Sequence, residues 1–125
     1  MVSLHALDDW LHCLRRGTFN QPFATVLANI QAYYHFTPTG FTNGAQRNEA
    51  GQNNGACQCF YFAKLHALTP EQTLLLFSEH YTAVLNSPTD HNHPNIRQFM
   101  QHGWSGVQFD GVALTPVRDE PKNFS

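Results

Sequence analysis

A chain of 125 residues and 14.2 kDa is long enough for one sizeable core and too short for two, so a single domain is expected. Lys+Arg number 7 against Asp+Glu 9, for a net charge of −2 with no basic block, which argues against nucleic-acid binding because few cations are available to displace counterions. An odd count of three Cys and no apolar leader predict free thiols in a reducing cytoplasm, and the longest apolar run, Leu74-Leu75-Leu76-Phe77, is far short of the roughly 20 residues a membrane span requires.

Ser3 is positioned to cap a first helix in which Leu4, Leu7, Leu11 and Leu14 recur at helical spacing beside Trp10, and which ends at Arg15, Arg16 and Gly17. Asn20 and Pro22 open a second helix whose stripe is Phe23, Val26, Leu27, Ile30 and Tyr34. Residues 34–44 are aromatic and β-branched but interrupted by Pro38 and Gly40, which predicts an extended segment with an irregular turn and at most a short edge strand. Residues 45–55 lack periodicity and read as an ordered polar loop.

Helical spacing resumes from Ala56 to Leu68, and Thr69-Pro70-Glu71-Gln72 is a capping box opening another helix that runs through Leu85. His93-Pro94 starts a short helix with Ile96, Phe99 and Met100 on one face and Gly103 at its end. Asp110-Gly111, flanked by residues 107–109 and 112–114, predicts a β-hairpin, and residues 116–125 form a loosely ordered tail. The fold class is therefore α+β: a mainly α-helical domain over residues 1–115, with about five helices and a small antiparallel hairpin or short sheet.

Chemistry concentrates in the central loop. Asn43, Asn48 and Asn54, with the carboxylate of Glu49, cluster just before a helix start, where free backbone N–H groups can receive an anion. These residues are the expected binding site for a small ligand or protein partner; the alternative is that they bond their own backbone in tight turns. Cys57 lies in the first turn of the following helix, where a thiol can be activated, making it the one candidate nucleophile of a thiol enzyme. His66 lies nine residues further along that helix, roughly 13 Å away, so a dyad would need His35 or His102. His91 and His93 are the candidate metal ligands, with a turn and a helix cap as their other reading. No phosphate-binding loop, nucleophile elbow or zincin motif occurs, and no cofactor is expected.

Tyr34-His35-Phe36-Thr37-Pro38-Thr39-Gly40-Phe41-Thr42-Asn43-Gly44, Asn48-Glu49-Ala50-Gly51-Gln52-Asn53 and Phe62-Ala63-Lys64-Leu65-His66 together resemble the signature of the HopJ family of type III effectors. The resemblance continues through Asn95-Ile96-Arg97, Phe99-Met100 and His102-Gly103-Trp104. It implies a fold and possible type III delivery into a host cell, but no defined reaction. Gly55-Ala56-Cys57-Gln58 stands where the resemblance leads one to expect Gly-Ser-Cys-Lys, and the folded first helix departs from a disordered, Ser-rich secretion signal. Three readings follow: a ligand-binding loop, a thiol enzyme using Cys57, and a structural interaction module in which an exposed aromatic patch meets another chain.

Overall fold

The apolar periodicities of residues 4–117, the part described by the computed structural model, become six α-helices and five short strands. Helix α1 (Leu4–Arg16) buries Trp10, Leu11 and Leu14 and ends at Gly17, which takes a φ of +73°. Ser3, the expected cap, lies outside the described residues. Helix α2 (Phe23–Tyr33) buries Val26 and Ile30 and passes directly into strand β1 (Tyr34–Phe36).

Strands β2 (Phe41–Asn43) and β3 (Gln46–Asn48) form a hairpin around Gly44-Ala45, with Phe41 opposite Asn48. Gly44 supplies the positive φ, +58°, that so short a connection demands. The expected hairpin at Asp110-Gly111 does not form. Strand β4 (Val107–Phe109) instead pairs with β2, and β5 (Leu114–Pro116) pairs with β1, all antiparallel. The reason lies in long-range anchors: Asp110 N–H donates to Gly40 O at 2.9 Å, and Thr37 N–H donates to Ala113 O at 2.8 Å. Pro116, read as the start of the tail, belongs to β5, while residues 118–125 fall outside the described part.

Helix α3 (Asn54–Leu65) runs through the middle, burying Cys57, Cys59, Phe60, Phe62 and Ala63 around its circumference. The single helix expected from Pro70 to Leu85 is two: α4 (Pro70–Leu75), with its Thr69–Gln72 capping box formed, and α5 (Glu79–Asn86). The break sits at Ser78, whose φ of +51° ends the helical path. Its hydroxyl donates to Gln21 O, and the Glu79 carboxylate accepts from Phe23 N–H at 2.9 Å, so the break is tied to the start of α2. Helix α6 (Pro94–His102) stops at Gly103 and leads into a 3-10 turn (Gly103–Gly106), where the Trp104 indole donates to Leu68 O at 2.9 Å.

The core is aromatic, as the composition predicts. Phe60 meets Phe41, Phe77, Phe99 and Trp104 with ring centroids 4.9 to 6.5 Å apart, tilted or edge-on as ring quadrupoles favour. This cluster locks α3 against the sheet and α6, fixing the relative positions of the helix starts that surround the candidate site.

Candidate functional site

Two of the four amide-loop candidates point inward. Asn43, at the turn end of β2, and Asn48, at the open end of β3, have no exposed surface. Asn48 and Asn95 exchange amide hydrogen bonds: Asn48 Nδ2 donates to Asn95 Oδ1 at 3.1 Å, and Asn95 Nδ2 to Asn48 Oδ1 at 2.9 Å. Asn53 Nδ2 also donates to Asn48 Oδ1, at 2.7 Å, while Asn43 Nδ2 donates to the backbone carbonyl of Asn95 at 2.8 Å. The network joins the hairpin to the first residues of α3 and α6. Buried amides need partners, and these four side chains supply most of them for one another.

Glu49 and Asn54 lie on the exterior. Glu49 pairs with Arg47 at 3.2 Å, and Arg47 also reaches Asp110. That contact holds the Asp110 carboxyl below its ordinary range. Asn54 is the exposed first residue of α3. The four candidates therefore do not share a surface. Asn53 and Asn95, not among the binding candidates, complete the network; Asn95 was visible only as part of the Asn95-Ile96-Arg97 signature.

Cys57 is 1% exposed, and its thiol donates to Thr39 O at 3.4 Å. Burial pushes it up to about 11, against a small opposing effect of the Thr39 bond, so it is a thiol and not a thiolate at neutral pH. His66 is engaged elsewhere, with Nε2 2.7 Å from the Tyr34 hydroxyl. His93 packs against His80 and not His91, with the two rings tilted and their centroids 4.9 Å apart. Among the described residues no group of three or more His, Cys, Asp or Glu is arranged to hold a metal ion.

That His80–His93 pair borders a cavity of about 220 Å³ between the starts of α3, α5 and α6. Phe23 and Phe77 form its apolar wall; their rings stack at 5.9 Å, and His80 packs edge-on to Phe23 at 4.8 Å. Gly55 and Ala56, in the first turn of α3, and Asn95 and Ile96, in that of α6, line the rest of it. A Cβ on Gly55 would meet the Phe23 ring at 3.0 Å, so glycine is what allows this wall to close up. Three non-glycine residues held at positive φ stand at these helix starts: Asn53 at +52°, Ser78 at +51° and His93 at +51°. Neither α3 nor α6 has a side-chain cap, so their first-turn N–H groups keep hydrogen-bonding capacity, whereas at α5 the His80 N–H donates to Phe77 O and the Tyr81 N–H to Ser78 O. Desolvation, then the nearby His80 and Arg97, lower the His93 pKa, favouring neutral imidazole.

A family model described as HopJ type III effector protein matches residues 7–114. A crystal structure of a protein of unknown function, VPA0580, is similar in fold with a TM-score of 0.85 and 41% sequence identity, covering 93% of this chain and 95% of that one. No match was found among curated proteins.

Proposed function

This chain belongs to the HopJ family of type III effector proteins, and we propose that it binds a small organic anion in the cleft between the starts of α3, α5 and α6. The observation that carries the reading is the meeting of an aromatic wall, two imidazoles and two uncapped helix starts around one cavity. A carboxylate or phosphate accepts hydrogen bonds from the first-turn N–H groups of α3 and α6 and gains from both helix dipoles. The imidazoles of His80 and His93 stand beside these N–H groups, and an apolar ligand body lies on Phe23 and Phe77. The central loop takes part through Asn53, whose side chain also fixes the buried amide network behind the cleft. The same reading assigns the protein to a reducing cytoplasm, of the producing cell or of a host reached by type III delivery.

NMR titration with benzoate and phenyl phosphate tests it, with benzyl alcohol as the neutral control. The expected outcome is saturable movement of the Gly55, Ala56 and Asn95 amide signals by the anions alone, weakened about tenfold by His93→Ala. Equal movement by benzyl alcohol, or none by either anion, overturns the proposal.

A further inference from the structure

The segment joining α1 to α2 carries a second feature, unrelated to the cleft just described. Phe19, Asn20 and Gln21 border two cavities at once, one of about 530 Å³ against α1 and α2 and one of about 570 Å³ against α4 and α5. The two share this segment as a common wall and together make a long groove. Among the described residues no Lys, Arg or His lines either cavity, whereas carboxylates do, Asp9 in one and Glu79 in the other. Such a lining repels anions. It is rich in neutral polar groups: the amides of Asn20, Gln21 and Asn29, which donate and accept, and the hydroxyls of Thr18, Ser78 and Thr82, which donate to backbone carbonyls and offer their oxygens as acceptors. Asn29 Nδ2 donates to Gln21 Oε1 at 3.1 Å, orienting both amides where the cavities meet. Tyr33 and Tyr81 add flat apolar faces, one in each cavity.

An independent observation points to a ligand with acceptor oxygens. Trp10 borders the α1–α2 cavity, is 8% exposed, and its indole N–H is buried with no acceptor among the described residues. Buried donors are nearly always satisfied, so one left unpaired beside a polar cavity signals a missing partner. Its nitrogen is closed to water in this conformation. The Phe19 ring, 6.0 Å from that of Trp10, lines both cavities.

We infer that this groove binds a neutral oligosaccharide. Sugar hydroxyls donate and accept at once, matching amides and hydroxyls without requiring a cation, and the C–H faces of pyranose rings lie on aromatic side chains. Asp9 and Glu79 would also attract an amine, so choline is titrated as the cationic control.

The two tryptophans of the chain make the test direct, since Trp104, bonded to Leu68 O, is an internal control for Trp10. The indole N–H signals are followed by ¹H–¹⁵N NMR while the full chain is titrated with maltose, cellobiose and diacetylchitobiose. At least one sugar is expected to move the Trp10 signal saturably and leave that of Trp104 in place. Asn29→Ala and Gln21→Ala, at sites outside the core, should each weaken that binding about tenfold with the circular dichroism unchanged. His93→Ala should leave it unaltered, which separates this site from the anion cleft. A Trp10 signal indifferent to all three sugars, sugar binding untouched by both amide substitutions, or a response to choline alone overturns the inference.

Discussion

At Asn48 a single amide satisfies several strict demands. Its oxygen accepts from both Asn53 and Asn95, and its nitrogen donates to Asn95 Oδ1 and, at 3.3 Å, to Phe41 O. Asn48→Ala strips partners from the Asn95 side chain in a region closed to water, where an unsatisfied polar group costs about 1–3 kcal/mol. The urea midpoint should fall by the equivalent of about 2–3 kcal/mol. Glu49→Ala, which loosens only an exposed pair with Arg47, should leave the midpoint nearly unchanged. The contrast separates two neighbours that look alike in sequence: both polar, both in the central loop, one structural and one solvated. Periodicity could not have told them apart, because burial of Asn48 depends on α6 arriving 47 residues later.

Among the elements, the break between α4 and α5 is the clearest case of local preference losing to tertiary contact. The run from Pro70 to Leu85 has helical spacing, and Ser78 has no intrinsic power to interrupt it. It is interrupted because Ser78 and Glu79 both bind the chain at Gln21 and Phe23. At φ +51° and ψ −121° the backbone of Ser78 is strained for any residue with a Cβ. Ser78→Ala keeps the strain and loses the hydroxyl bond, whereas Ser78→Gly loses the bond but relieves the strain. The glycine variant should therefore be the more stable by about 1 kcal/mol, as read from paired denaturation curves. The Asp110-Gly111 turn is the converse case. Its residues do suit a hairpin, but β4 pairs with the open edge of β2 and β5 with that of β1 instead.

The whole molecule should respond to mild acid. His66, chiefly through desolvation and then the charge of Arg15, has its pKa lowered below 6.5, and His93 is lowered as well, chiefly through desolvation. An unfolded chain binds protons at these histidines near the ordinary value, and the folded chain binds them only at lower pH. Stability from this source is complete above about 6.5 and is lost as pH falls through the interval below it. The melting temperature should drop between about pH 7 and pH 5, and His66→Gln should flatten that slope, as measured by scanning calorimetry.

What the sequence determined by itself were the features encoded over a few neighbouring residues. These are the helix stripes of α1, α2, α3 and α6, the Thr69 capping box, the end of α6 at Gly103, the aromatic core, the α+β class and the HopJ signature. Spacing on one helix, or a cap three residues from its partner, is fixed by local geometry. Only the tertiary structure decided which strands pair, where the long helix breaks, which asparagines turn inward, and that His93 faces His80. Each of these depends on two segments distant in sequence meeting in space, and the free energy that selects them, from burial and from polar groups completed across that contact, does not exist until the chain has folded.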